Sequence, residues 1–198
     1  MAILAFNTWS TDGIGVADPG LEKYISLRPR IVPRTGARYA GQRFHKSRVF
    51  IVERLINKIM GPGHKSGKHW RSSGHMGGQS QQAHDIVFRA FKAMEARTKE
   101  NPIKLLVDAI VNAAPREQIV TIEYGGARYP KATECAPQRR IDVVLRLLTQ
   151  GAYARSFNSR VKVEDALADE IILAARADAK SSAIAKKLDV ERAADAAR

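Results

Sequence analysis

The sequence predicts a mainly α-helical protein, a single helical bundle domain of about six helices with a protruding β-hairpin arm and an extended basic N-terminal arm. Three observations predict it. Apolar residues recur at helical offsets in five separate stretches, with a weaker sixth at the end. Between two of them, "EQIVTIEYGGARYPKATEC" switches to a period of two around a Gly-Gly pair. The first 41 residues carry Pro19, Pro29 and Pro33 and several glycines, and keep no sustained period. With 198 residues and a hydrophobic fraction of 44%, the chain has enough apolar material for one real core.

Residues 1–41 are read as the extended arm, with at most a short helix near Leu21 to Ser26, and such an arm needs a surface to lie on. The helical domain then covers 42–198. Its first helix runs from Val49 with Val52, Leu55, Ile56 and Ile59 on one face, and Gly61-Pro62-Gly63 stops it. The segment 61–80, rich in Gly, Ser and His, reads as a mobile basic loop. A second helix places Ala83, Ile86, Val87, Ala90, Phe91 and Met94 on one face and Asp85, Arg89, Lys92 and Glu95 on the other. Asn101 before Pro102 is an N-cap followed by proline at the first helical position, and opens a third helix lined by Ile103, Leu106, Val107, Ile110 and Val111.

The hairpin arm is expected at about 116–136, with Gly125-Gly126 supplying the positive φ of its turn. After Pro137, Ile141, Val144, Leu145 and Leu148 restore the helical period, which is expected to close at Gly151. Val163, Leu167, Ile171 and Ala174 mark a fifth helix, and a basic stretch from Ser181 to Arg198 a sixth.

Charge narrows the function. Lys and Arg number 33 against 20 Asp and Glu, a net charge of +13, so the chain is expected to work beside something acidic. Between Lys23 and His84 the only acid is Glu53, whereas Arg28, Arg30, Arg34, Arg38, Arg43, Lys46, Arg48, Lys58, Lys65, Lys68 and Arg71 all fall inside. A solvated charged face would mix signs; one sign over an arm, a helix start and a loop is a footprint for polyphosphate. Tyr39, Phe44 and Trp70 interleave with this charge, to stack on unpaired bases or to pin the arm to the core.

Cations just ahead of the first helix are expected to combine with its unpaired amides as an anion site. On the helix after Pro137, Arg139 and Arg146 are seven apart and share a face opposite the apolar stripe, which allows phosphate contact there. Asp142 shares that side and could form an intrahelical pair. Arg139 and Arg140 stand in a first turn, where cations oppose the dipole, so an anion from outside the helix is expected to hold them.

Enzyme chemistry finds no support in the sequence. Gly61 to Gly67 has one residue too many for a phosphate loop and follows a helix. His64, His69 and His75 have no nearby Cys or carboxylate to complete a metal site. Cys135 reads as a buried or half-buried structural thiol in the hairpin-to-helix corner. Asp165 and Asp169 read as acids answering the dipole of their own helix. Catalytic residues, metal and cofactor are therefore expected to be none. A single cysteine excludes an internal disulfide and fits a reducing compartment, and no signal peptide or membrane span is read, so the expectation is a cytoplasmic protein.

The stretches "VERLINKIM", "NPIKLLVDAIVNAAPRE", "GGARYPKATECAPQRRIDVVLRLLTQGA" and "LADEIILAA", in that order, resemble the seventh-protein family of the small ribosomal subunit in its archaeal and eukaryotic form. "ADPGLEKYI" and "IVPRTGARYAGQRFHKSRVFIVERL" are most similar to the archaeal branch, and the likeness runs from about Asp18 to the C-terminus. The resemblance implies a helical core with a hairpin, binding the 3′ major (head) domain of small-subunit rRNA and nucleating assembly of the head. It places the hairpin near the tRNA exit site and the mRNA path, with neighbouring ribosomal proteins as partners. It transfers RNA binding to Arg43, Lys46 and Arg48, to Arg116, Arg128 and Lys131 in the arm, and to Arg139 and Arg140. The charge pattern adds Arg34, Arg38, Lys65, Lys68, Arg71 and Arg146.

Two features depart from the family pattern. The loop His64 to Gln82 is longer than the compact turn of bacterial members, and the tail "VERAADAAR" is less basic than the usual ending. The rival reading is a free-standing helical nucleic-acid-binding protein of chromatin or repressor type, but no recognition helix or dimer seam is identifiable.

Overall fold

The structure is a computed structural model that describes residues 3–36, 41–65, 68–69 and 74–198, with His64, Lys65, Lys68 and His69 described by backbone alone. Candidate residues Arg38 and Arg71, with Tyr39 and Trp70, lie outside the described residues, and so do the side chains of Lys65 and Lys68.

Seven α-helices and two antiparallel strand pairs occur among the described residues. In chain order they are α1 (Pro19–Glu22), a 3-10 turn (His45–Arg48), α2 (Ile51–Ile59), β1 (His64–Lys65), β2 (Lys68–His69), α3 (Ser80–Thr98), α4 (Pro102–Ala113), β3 (Glu117–Tyr124), β4 (Ala127–Glu134), α5 (Pro137–Ser156), α6 (Val163–Ala175) and α7 (Ser182–Asp195). α6 lies at the centre, packed against α3, α4 and α5, while α7 rests on α5 and the base of β3. The faces read from periodicity are the buried ones: Val52, Leu55, Ile56 and Ile59 on α2, Val87, Phe91 and Met94 on α3, and Ile141, Val144, Leu145 and Leu148 on α5. The Asn101 side chain caps α4 by accepting from the Ile103 amide at 3.0 Å.

The N-terminal segment is mostly irregular but lies on the body. Ala5, Trp9, Leu21 and Ile25 belong to the core, and Phe6 and Trp9 meet Phe88 and Phe91 of α3 edge-on or tilted with ring centroids 5.6–5.9 Å apart. The Trp9 indole donates to Glu95 at 3.1 Å. The expected short helix is one turn, α1, capped by Asp18.

Two expectations need correction. The loop after α2, read as irregular, holds the two-residue ladder β1–β2, with His64 opposite His69. The helix from Pro137 does not close at Gly151 but continues to Ser156. A Cβ at Gly151 would sit 2.1 Å from Ser182 Oγ and 2.9 Å from Glu170 Cδ, so this glycine marks the close crossing of α5 with α6 and α7 rather than a helix end. There the fully buried Glu170 Oε1 accepts from Ser181 Oγ, Ser182 Oγ and the Ala183 amide at 2.8, 2.8 and 3.2 Å. A carboxylate at the first turn of α7 answers that helix's dipole and fixes where it starts.

The β3–β4 ladder pairs Glu117 with Glu134 through to Tyr124 with Ala127, and Gly125 and Gly126 close it at φ 58° and 80°. Positive φ at both central residues gives a turn whose twist matches that of the strands. Beyond its first residues the ribbon is exposed on both faces, and Ile122, Tyr124 and Tyr129 stand open to solvent. Its base is held from α7 and the residues after it: Glu191 of α7 accepts from the Arg116 amide at 3.0 Å, and Arg198, beyond the helix, pairs with Glu117.

Candidate nucleic-acid interface

The one acid in the long basic stretch is withdrawn from the surface. Glu53 is buried in the first turn of α2 and accepts from the Thr35 amide at 2.9 Å and from its hydroxyl. Arg34, Arg43 and Arg48, by contrast, are exposed. The Arg43 guanidinium lies 5.1 Å from the centre of the Phe44 ring, which is itself exposed.

The expected partnership between these cations and the first helical amides does not form. Phe50, Ile51, Val52 and Glu53 are all buried, and the Ile51 amide donates to the Ser26 carbonyl at 3.0 Å. The cations sit one turn earlier, on the 3-10 segment, where Arg48 meets Lys23 and Arg28 around a shallow hollow.

Next to it, α2 and α5 bring together a second group. Asp142 does not pair with the arginines of its own helix. It accepts from Lys46 and from Arg54, the latter at 3.0 Å, and Arg54 also donates to the Tyr24 carbonyl at 3.0 Å. Burial alone would raise the Asp142 carboxyl, but the hydrogen bonds and charges of Lys46 and Arg54 outweigh it and hold it below the ordinary aspartate range. Lys58 shows the reverse: desolvation lowers its ammonium, Asp142 opposes, and Lys46, Arg146 and Arg54 lower it further. Lys46, Arg54, Lys58 and Arg146 thus crowd one carboxylate, and an arriving phosphate would relieve their repulsion.

Arg146 also belongs to a groove between α5, α7 and the base of β3. Its walls carry Arg139, Arg146, Lys186 and Lys187, and its floor Val143, Leu147 and Val190. Arg139 Nε donates to Gln118 Oε1 at 3.0 Å, and Lys187 Nζ to the Asn112 carbonyl at 2.8 Å; Arg146 and Lys186 have no acidic partner among the described residues.

Arg139 and Arg140, identical as neighbours in sequence, part company here. Arg140 points inward, its side chain only 12% exposed, donating to Asp18 at 2.9 Å and to the Pro115 carbonyl at 3.1 Å. The external anion expected for this pair is, for Arg140, Asp18 of the chain itself. Burial alone would raise Asp18, but hydrogen bonds from the Gly20 amide and Arg140 and the charge of Arg140 hold it low.

In the arm, Arg128 and Lys131 are exposed, and Arg128 stands opposite Glu123 with Nε 3.8 Å from its carboxylate. Arg116 is exposed at the base of the ribbon. Asp165 stands in the first turn of α6, where it answers that helix's dipole as expected, and together with Asp169 it also binds Arg97 of α3. Cys135 is buried; burial pushes its thiol up, against the opposing charges of Arg139 and Arg140.

Lys23, Lys186 and Lys187 escaped the sequence reading. The Lys186-Lys187 pair was legible as charge, but the mixed signs of the tail hid which of its faces meets α5.

Comparison with known proteins places these features in a family. Residues 21–198 match the family described as ribosomal protein S7p/S5e. The chain is 46% identical to the small ribosomal subunit protein uS7 of Nanoarchaeum equitans over 198 residues, the whole of both chains. It is 44% identical to the protein of that name from Archaeoglobus fulgidus, over 99% of this chain and 95% of the relative. The corresponding protein of Methanothrix thermoacetophila is 46% identical over 98% of both chains.

Proposed function

The chain belongs to the ribosomal protein S7p/S5e family, and from that premise we propose that its convergent cations are the surface on which it carries small-subunit rRNA. As a family member it is a structural constituent of the small ribosomal subunit in the cytoplasmic ribosome, an RNA-binding protein and not an enzyme. Its partners are rRNA and neighbouring ribosomal proteins.

The observation that carries the surface is convergence. Arg48 with Lys23 and Arg28, then Lys46, Lys58 and Arg146, then Arg139 with Lys186, come from distant parts of the chain, and Asp142, the carboxylate that Lys46 and Arg54 hold, is outnumbered among the described residues. Within this reading Arg34, Arg43, Lys46, Arg48, Arg116, Arg128, Lys131, Arg139 and Arg146 contact phosphate, while Arg140 acts by holding Asp18 and so the N-terminal segment against α5. The resemblance supports the finer placement: the bound RNA is the 3′ major domain, where binding nucleates assembly of the head, and the hairpin tip lies near the tRNA exit site and the mRNA path. Exposure of the ribbon on both faces fits an arm that finds its contacts outside this chain.

Nucleotide protection on complete small-subunit rRNA tests this. Protection concentrated in the 3′ major domain is expected. Protection elsewhere overturns the placement, and equal affinity for unrelated duplex DNA would favour a free-standing nucleic-acid binder instead.

A further inference from the structure

Residues 3–12 sit on α3 in the manner of a bound peptide. Their backbone closes on itself: the Ala5 amide donates to the Trp9 carbonyl at 2.8 Å, and the Thr8 and Trp9 amides both donate to the Ala5 carbonyl at 3.0 Å. The Thr8 hydroxyl donates to the Phe6 carbonyl at 3.0 Å. Phe6 and Asn7 take φ 52° and 58°, left-handed backbone at two successive residues other than glycine, which surrounding contacts must hold in place.

One face of α3 supplies those contacts. His84, Phe88, Phe91 and Glu95 stand at offsets of four, seven and eleven, which a single helical face shares. The Phe6 ring lies 4.8 Å from His84, 5.6 Å from Phe88 and 5.9 Å from Phe91, centre to centre, and Trp9 lies 5.8 Å from both phenylalanines. Polar bonds fix the register: the Trp9 indole donates to Glu95 at 3.1 Å, and Asn101 Nδ2 donates to the Ser10 carbonyl at 2.7 Å. Gly13, exposed and at φ 75°, separates this loop from Ile14 and Val16, which rest half-buried on the core, and from Asp18, which Arg140 holds. The family match begins at residue 21, so the segment that covers α3 lies outside it.

We propose that this face of α3 is a peptide-binding cleft for an aromatic pair spaced as Phe6 and Trp9, that the chain's own segment is its built-in ligand, and that the cleft accepts the same segment from a second copy of the chain. The inference goes beyond RNA binding and does not depend on it. A loop that bonds its own backbone brings much of its shape with it, so seating it costs less ordering than seating an open strand. Release also relieves the left-handed backbone at Phe6 and Asn7, so ring burial and the two polar bonds are what hold the loop closed. Tethering keeps the cleft filled, because a short connection supplies an effective concentration of about millimolar, which a segment arriving from another molecule must approach.

The test uses the full chain with a protease site inserted after Gly13 and cut only once the protein has folded. A synthetic peptide of residues 3–12 carrying a fluorophore is then added, and its anisotropy reports uptake. The cut chain should exchange its own segment for the labelled one below roughly millimolar peptide, and the uncut chain should take up at least about tenfold less. A peptide with Phe6→Ala and Trp9→Ala should bind at least about tenfold more weakly than the parent. In a second arm, the full-length variant Phe6→Ala/Trp9→Ala should melt earlier than the unaltered chain and regain melting temperature as the parent peptide is added. If that variant does not fold, the cut chain decides alone. The proposal is overturned if the cut chain stays folded without exchanging its segment, or if it unfolds and excess peptide does not restore it. Equal uptake by the uncut chain, or equal binding of the doubly substituted peptide, would overturn it too, as generic adhesion to an apolar face.

Discussion

At the scale of the residue, burial direction separates side chains that sequence cannot tell apart. Arg139 and Arg140 carry the same charge in the same first turn, but Asp18, 122 positions away, selects Arg140. Arg140→Gln should therefore destabilise the fold by about 1.5–3 kcal/mol, the range for a hydrogen bond to a charged group. Arg139→Gln should leave melting within about half a kcal/mol and lower the salt slope of RNA binding by about one. Equal melting losses in both variants would mean that Arg139 is also a structural partner. Asp18 and Asp142 add a pH dependence. Both lie below the ordinary aspartate value of 3.8 in the fold, so the unfolded chain takes up their protons more readily. Their stabilisation is full above the unfolded value and is lost as pH falls through the folded values. Thermal unfolding should show stability dropping below about pH 4, and Asp142→Asn should shrink that drop while lowering stability at neutral pH. An unchanged acid limb in the variant would remove Asp142 from this account.

Elements were legible where a single chain segment decides them, and illegible where a crossing does. The apolar stripes of α2 through α6, the Asn101 cap and the Gly125-Gly126 turn all follow from local pattern and turn chemistry. Gly151 reads locally as a stop because glycine is a poor helix former. Only the packing of Ser182 and Glu170 shows that a missing side chain is what the position requires. Gly151→Ala should raise intrinsic helix propensity and yet destabilise the protein by about 1–3 kcal/mol through overpacking; a stabilised variant in calorimetry would contradict this crossing. The hairpin obeys the opposite logic, since its outer half supports no core. Removing residues 124–129 should leave melting and most rRNA affinity intact while altering translation by assembled subunits. Global unfolding of that deletion would show that the tip packs inward.

For the whole molecule, the class of partner was legible and the shape of the surface was not. A net charge of +13 with long acid-free runs points to polyphosphate without any tertiary information. The sequence does not show that Trp9 and Leu21 bind the N-terminal segment to the core, because irregular segments carry no period to read. Nor does it show that Lys186 faces Arg139 and Arg146, which depends on how α7 is set by the buried Glu170. The central claim is that cations from the N-terminal segment, α2, α5 and α7 act as one phosphate-binding surface. Its most direct test is the salt dependence of binding to small-subunit rRNA, for the unaltered chain and for Arg48→Gln, Arg139→Gln, Arg146→Gln and Lys186→Gln. With roughly six to ten phosphates neutralised, affinity should fall about 10³- to 10⁵-fold between roughly 50 and 200 mM salt, and each variant should reduce the slope by about one. A nearly flat salt dependence, or variants in the 3-10 turn, α5 and α7 that all keep the full slope, would contradict it.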